Sequence, residues 1–404
     1  MKTLLALALG ATMGMLLGQN HPDVTILSNR LGGAFIDLLK MLVGLIVFSS
    51  LVTGICHISH PSTLIRVGSK TLFFYFITTI AGITFGIVTA SLFLPGASLN
   101  LSLPPSLPPF HSNTLMDFLF NAIPSNPFAA FVNGNILQII LFASFFSIGI
   151  NLSGERGQRI LPYFESLGEI MHNLTHMIMK IAPYGIFFLM ASAISSIGGK
   201  IVLPLLQLLL CNFLACLLHV AFIFCGTIRY IIRLPLVPFF RGMQEAIALA
   251  FSTSSSAATL PISIECAKER LGLCPDLSGF ILSLGATINM NGAAIGQAIS
   301  ALFIAQAYGI EISVLKIAIL YVVSLVSAIG AAGVPGTGIL MLSIVLQSMG
   351  LPIEGIILIA GVDRLREMVS SVINVLGDAL AALYISKKEG KVNISYYATN
   401  GGTT

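Results

Sequence analysis

The chain has 404 residues, of which 56% are hydrophobic and 9% charged, with 20 Lys and Arg against 16 Asp and Glu for a net charge of +4. Soluble globular proteins carry about 25% charged residues, so an ordinary water-soluble enzyme is excluded. A mean hydropathy of +0.95 with 38 Gly and 18 Pro describes long apolar spans interrupted by breaking residues, the pattern of a polytopic transporter or channel in contact with membrane lipid. The basic residues are too sparse and scattered for a nucleic-acid surface.

Windows of about 20 apolar residues predict eight spans, over 2–18, 33–56, 71–94, 113–152, 165–196, 201–228, 277–308 and 352–386. The first has the basic head and small residues of a secretory leader, but apolar spans follow at once, so it reads as a membrane helix. Residues 94–110 form a Pro-rich stretch without Lys or Arg, read as an external loop. The fourth span is interrupted at Pro124, Pro127 and Gly134. In the fifth, His172 and His176 lie one turn apart, which reads as an interfacial helix face since no third metal ligand is nearby. Cys56, Cys211, Cys216, Cys225, Cys266 and Cys274 lie mostly in apolar runs without Cys-x-x-Cys spacing and read as free buried thiols.

Basic residues gather at Arg66 and Lys70, at Arg229, Arg233 and Arg241, at Lys268 and Arg270, and at Lys387, Lys388 and Lys391, which predicts those ends, and both termini, on the cytoplasmic side. The crossings then close only if two more segments enter and leave on the same side. Residues 245–264 are broken by Ser254, Ser255 and Ser256 and stopped by Pro261; residues 323–346 are broken by Gly330, Gly333, Pro335, Gly336 and Gly338. Both read as re-entrant hairpins, because a non-helical tip at membrane depth is tolerated only where it lines a cavity, and such a pair marks a transporter's binding site. The other reading is a pair of kinked spanning helices with small residues for close packing.

Two spans carry polar chemistry. The last holds Asp363, Arg364, Arg366, Glu367 and Asp378, each costing about 2.5 to 3.5 kcal/mol at the centre of a membrane helix. Asp363, Glu367, Ser370 or Ser371, Asn374 and Asp378 recur at steps of three and four, which places them on one helical face. Oxygen ligands suit a hard cation and guanidinium groups an organic anion or zwitterion. The alternative is a structural ion pair of Arg366 with Asp363 or Glu367. The seventh span contains GATINMNGAA, where Asn289 and Asn291 beside Gly285 and Gly292 can break the helix and free carbonyl oxygens. His-Glu-x-x-His, Gly-x-Ser-x-Gly and P-loop strings are absent, so no enzymatic or ATP-driven chemistry is expected.

TSSSAATLP (253–261), GATINMNGAA (285–294), GAAGVPGTG (330–338) and NVLGD (374–378) together resemble the signature elements of the dicarboxylate/amino acid:cation symporter family, the glutamate transporter family. The resemblance extends in order to LLKMLVGLIVFSSLVTG (38–54), RVGSKTLFFYFITT (66–79) and IPSNPFAAF (123–131), nearly the whole chain. It implies an all-α polytopic membrane protein with eight transmembrane helices and two re-entrant hairpins, assembled as a homotrimer. Residues 1–65 and 96–200 would form a scaffold domain, and 66–95 and 201–404 a transport domain moving as an elevator.

The resemblance also implies transported Na+ as the coupling ion, with no organic cofactor. Gly285, Asn289, Asn374 and Asp378 match one sodium site, Thr287 with the backbone at Ala328, Ile329 and Ala331 a second, and Tyr75, Thr78, Thr79, Asn289 and Asn291 a third. The substrate would meet Ser254, Ser255 and Ser256, the tip at Gly333, Val334, Pro335 and Gly336, and Ala293, Glu367, Ser370, Ser371 and Asn374. Two departures stand out. Asn291 and Ala293 replace the Asp and Thr of the usual Asn-Met-Asp-Gly-Thr, which removes the full charge from the third cation site and implies fewer coupled ions. Ser370 stands where acidic amino-acid carriers have an arginine, Ser371 replaces a Thr and Glu367 an Asp. An unpaired carboxylate in a dehydrated site costs several kcal/mol, so the expected substrate is a neutral amino acid. Arg366, one turn from Ser370, supports the alternative of an acidic amino acid or dicarboxylate if it reaches the site. A sodium-independent exchanger or channel is the alternative of another class.

Overall fold

The computed structural model describes residues 9–10, 12–14, 16, 22–56, 62–103, 120, 123–133, 135–197, 199–330 and 336–400. Most of the first expected span therefore lies outside the described residues, as do residues 113–119 of the fourth. Among the described residues the chain is helical between its turns and loops, apart from one isolated antiparallel bridge between Leu273 and Val392. Few charges and a paucity of water-facing turns leave intrahelical hydrogen bonding as the way to satisfy the backbone in an apolar environment.

Helix α1 (Pro22–Cys56) opens with Pro in its first turn beside Asp23, a favourable helix start. Helix α2 spans Ser62–Phe93, 32 residues or about 48 Å of rise, long enough to cross a hydrocarbon layer of about 30 Å with tilt or overhang. The expected interruption of the fourth span is present. Asn126 accepts hydrogen bonds from the Phe128 and Ala129 amides to start α3 (Pro127–Val132), and Asn135 accepts from the Gln138 amide to start α4 (Ile136–Leu152). Helix α5 (Leu161–Ile197) accommodates Pro183 in its interior. Helix α6 (Val202–Leu218) runs on through two wide π-type turns, His219–Phe224 and Thr227–Ile232, and ends where Arg233 takes a left-handed conformation.

Both interrupted segments are helical pairs. The first comprises α7 (Gln244–Thr253) and α8 (Ser256–Glu265). The sequence predicts that Pro261 stops this segment; it lies inside α8 instead, where the N–H it lacks removes the bond to the Ala257 carbonyl without ending the helix. The seventh span divides into α9 (Pro275–Ile288) and α10 (Asn291–Ala307), with Asn289 and Met290 at non-helical angles between them. The second segment comprises α11 (Val314–Gly330) and α12 (Thr337–Ser348), and its tip at 331–335 lies outside the described residues. Gly336, at φ +90°, adopts a backbone that excludes other residues and admits α12. The expected span over 352–386 is two pieces, α13 (Ile356–Ala360) and α14 (Asp363–Lys388), parted at Gly361 and Val362. The apolar run is continuous there, so hydropathy alone carried the prediction past the break.

Two sets of helices pack among themselves. Helix α1 lies along α5 and α4, while α2, α6, α9, α10, α14 and both interrupted pairs surround one another; the sets meet where α9, α11 and α12 touch α1, α11 touches α4 and α13 touches α5. Among the described residues four stretches are long and apolar enough to cross a membrane, Arg66–Phe93, Gly199–Ile232, Leu277–Ala307 and Asp363–Lys388. The third and fourth are 94% and 78% buried in their most apolar windows, against 39% and 44% for the others, so the polar stripes ride on the two most enclosed helices.

Just beyond the end of α14, Glu389 is clamped by Lys70 at 2.8 Å and Arg66 at 2.7 Å, which ties the start of α2 to the end of α14. The Lys70 hydrogen bond, assisted by the nearby positive charges, holds the Glu389 carboxyl below the usual carboxylate range. Its stabilising contribution is therefore present above the ordinary carboxylate pKa and is lost as pH falls through the lowered folded value. The cysteines are free, four buried and Cys225 and Cys274 half-buried.

Candidate functional site

The polar face of α14 meets the α9–α10 break. Asp378, 3% exposed, accepts a 2.8 Å hydrogen bond from Asn289 Nδ2. Asn374 Oδ1 accepts from the Gly292 amide at 2.8 Å, and Ser370 Oγ donates to the Gly292 carbonyl at 3.0 Å. Asn374 Nδ2 contacts Met290 Sδ at 3.2 Å, and Ser256 Oγ reaches the same sulfur at 3.7 Å. Side chains one turn apart on α14 thus take the backbone groups that the break releases, as a helix end inside a protein requires.

Gly285, Asn289, Asn374 and Asp378, expected to form the first cation site, come together here. A Cβ on Gly285 would collide with Asp378 Oδ1 and come within 2.6 Å of the Tyr75 hydroxyl. Asn289 Oδ1 is buried without a hydrogen-bond partner among the described residues. One carboxylate and an orphaned amide oxygen are oxygen donors of the kind that suits a hard cation; among the described residues there is no His, Cys, Asp and Glu cluster of the kind that holds a transition metal. Gly285→Ala should displace Asp378 and weaken any cation held there at least about tenfold, about 1.4 kcal/mol, as read from the cation dependence of the purified protein's melting temperature.

The residues expected at the third cation site also converge, but onto each other. Thr79 Oγ1 donates to Asn291 Oδ1 at 2.6 Å, and Asn291 Nδ2 donates to Thr78 Oγ1 at 3.3 Å. Thr78 Oγ1 in turn donates to the Phe74 and Tyr75 carbonyls, and the Tyr75 hydroxyl donates to the Ile281 carbonyl at 2.9 Å. A neutral amide in place of the usual carboxylate lets these groups satisfy one another. Of the second site, Thr287 Oγ1 donates to the Leu284 carbonyl and Ala328 is buried; the Ile329 side chain and Ala331 lie outside the described residues.

At the tip of the first interrupted pair the three serines differ. Ser254, at φ +55°, is a non-glycine residue in the left-handed region, and its Oγ is buried without a partner among the described residues. Ser255 Oγ caps α8 by accepting from the Ala258 amide at 3.1 Å, and Ser256 Oγ meets Met290 as described. Glu367 accepts from the Gly336 amide at 2.9 Å and the Gly338 amide at 3.3 Å, so its carboxylate caps α12. Ser370, Ser371 and Asn374 are buried along the same face, and Ala293 is half-buried at the start of α10. Gly333, Val334 and Pro335 lie outside the described residues.

Arg366 does not reach towards Ser370. Its Nε donates to Asp363 Oδ1 at 2.9 Å, Nη2 bonds the same oxygen, and the side chain is 2% exposed. It wedges against Gly296 and within 2.8 Å of where a Cβ on Gly338 would stand. A desolvated guanidinium takes the nearest carboxylate, and the glycines leave room for it beside Asp363. Arg364, one of the charged cluster to which the sequence assigns no role, donates through Nη2 to the Thr253 carbonyl at 3.1 Å, at the tip of α7. A bond from a side chain to a main-chain oxygen 111 residues away leaves no trace in spacing.

Two enclosed polar helices, a mid-span break and two interrupted helical pairs held by one face of α14 define an integral membrane transporter. Residues 1–388 match the sodium:dicarboxylate symporter family, and the chain belongs to it. It is 32% identical over 397 residues to the proton/sodium-glutamate symport protein of Bacillus caldotenax, covering 95% of this chain and 94% of that one. It is 34% identical over 405 residues to the proton/glutamate-aspartate symporter of Escherichia coli (strain K12), covering 96% and 92%, and 31% identical over 402 residues to the C4-dicarboxylate transport protein of Cupriavidus necator, covering 97% and 93%.

Proposed function

We propose that this protein is a sodium-coupled symporter that imports an acidic amino acid or a C4-dicarboxylate. The observation that carries the reading is the joint placement on α14 of a buried carboxylate at the α9–α10 break, of Glu367 on the same face holding the second interrupted pair, and of Arg364 beside that face holding the first. One rigid helix would then report cation and substrate occupancy to both gates. The neutral preference expected from Ser370 is not supported by the relatives, whose names carry glutamate, aspartate and C4-dicarboxylates. Those relatives support the alternative.

In this reading Na+ binds among Gly285, Asn289, Asn374 and Asp378, with a second ion near Thr287, Ala328, Ile329 and Ala331. Substrate lies between Ser254 to Ser256, Ala293, the tip at Gly333 to Gly336 and the polar face at Glu367, Ser370, Ser371 and Asn374. Tip closure that is favourable only with both ligands present couples the two flows, because a ligand shifts an equilibrium only by its differential affinity for the two states. The scaffold and transport domains, elevator motion, homotrimer and cytoplasmic termini belong to the same proposal.

The self-satisfied network of Thr78, Thr79 and Asn291 supports a low ion count. Asn291→Asp should add a charge there and raise the sodium-to-substrate ratio, read as a shift in the reversal potential of uptake. The function itself is tested in proteoliposomes under a sodium gradient, with labelled aspartate, glutamate, succinate, alanine, serine and proline. Sodium-dependent accumulation of the acidic compounds is expected; accumulation of the neutral ones alone would return the selectivity to Ser370.

A further inference from the structure

Two arginines flank the polar face of α14 from opposite sides, since residues two apart on a helix point about 200° apart. Arg366 is committed to Asp363 and enclosed by Gly296 and Gly338. Arg364 is half-buried, and among the described residues it forms no ion pair with a carboxylate. Its one hydrogen bond, 3.1 Å to the Thr253 carbonyl, holds the guanidinium against the tip of α7. Five N–H donors on a planar fork leave others for a ligand.

What surrounds that guanidinium points to an anion. The residue after Thr253 is Ser254, held left-handed at φ +55° and 3% exposed, with its buried Oγ unpartnered among the described residues. Backbone strain at a non-glycine position persists where function over-determines it, and a buried hydroxyl without a partner calls for one. Along α14, Glu367 and Ser371 follow Arg364 by one and two turns, so the guanidinium stands beside the face that would hold the substrate. Glu367 is turned to the Gly336 and Gly338 amides; its carboxylate lies close enough to feel the Arg364 charge but makes no ion pair with it among the described residues.

Resting on the acidic-substrate reading, we propose that Arg364 is the specificity-determining residue that pairs with the substrate's second carboxylate, approaching from the first hairpin in place of a side chain at Ser370. The guanidinium swings on its Thr253 anchor to form a charge-assisted bond, and the Ser254 hydroxyl completes the anion's shell. A substrate with one carboxylate gains nothing from this contact.

The test is competition against sodium-driven uptake of labelled aspartate by wild type, Arg364→Gln and Arg364→Lys, with unlabelled succinate, glutamate, alanine and serine as competitors. The inference expects Arg364→Gln to weaken succinate and glutamate at least about 30-fold relative to alanine and serine. Arg364→Lys, with its charge but no fork, falls between. Sodium-dependent thermal shifts of the purified variants verify folding; where Arg364→Gln does not fold, the same ratio in Arg364→Lys decides, a change of threefold or more being expected. An equal fall for all competitors would make Arg364 a strut for the hairpin and overturn the proposal, as would an unchanged ratio. Failure of wild type to take up any acidic compound would instead sink the functional reading on which the inference rests.

Discussion

Asp378→Asn should abolish sodium-dependent uptake, with the sodium concentration for half-maximal transport rising at least about 100-fold, about 2.8 kcal/mol. The substitution keeps the shape of the side chain but replaces a full charge by a dipole in a site where Asp378 is 3% exposed and Gly285 stands against its oxygen. Water cannot replace the lost field there, because the surrounding α9 and α10 are closed around it. Asn289 would keep a hydrogen-bonding neighbour, so the fold should persist and the purified variant should melt near wild type. Unchanged sodium affinity would remove Asp378 from the cation site.

The second large effect falls on stability. Asp363→Ala leaves the Arg366 guanidinium buried and unpaired, and breaking a buried pair costs about 3 to 5 kcal/mol, a large part of the about 5 to 15 kcal/mol that holds a typical domain. The variant should give little monodisperse protein in detergent. Asp363→Ala combined with Arg366→Met should recover most of the loss, because an apolar side chain of similar length fills the slot between Gly296 and Gly338 without a charge to desolvate. Size-exclusion melting curves of the single and double variants give the comparison. A double variant no better than the single one would show that the guanidinium contributes more than its pairing with Asp363.

The parts of the site that were legible in the sequence are those where polar residues violate an apolar background. The face of Glu367, Ser370, Asn374 and Asp378 could be drawn from helical spacing alone, and Asn289 with Gly285 and Gly292 marked the break that separates α9 from α10. Serine and glycine interruptions likewise located both interrupted pairs. Boundaries set by packing were not legible. Pro261 sits within α8, and the apolar run at 352–386 hides the break at Gly361 and Val362. Arg366 had two acidic candidates in sequence, one three residues before it and one directly after. Geometry decides for Asp363, since a residue one position away on a helix points about 100° aside, while Glu367 is held by the amides that open α12. Arg364 escaped because its partner is a carbonyl, and every residue has one.

The central claim is that one enclosed helix, α14, couples a cation to a carboxylate-bearing substrate. Its most direct test is the simultaneous flux of labelled sodium and labelled aspartate or succinate into the same proteoliposomes, for wild type and Asp378→Asn. The account predicts that each labelled substrate drives entry of sodium in a fixed ratio, and that both fluxes vanish together in the variant. Substrate entry that proceeds without sodium, or sodium entry indifferent to substrate, would contradict it and leave an exchanger or a channel in its place.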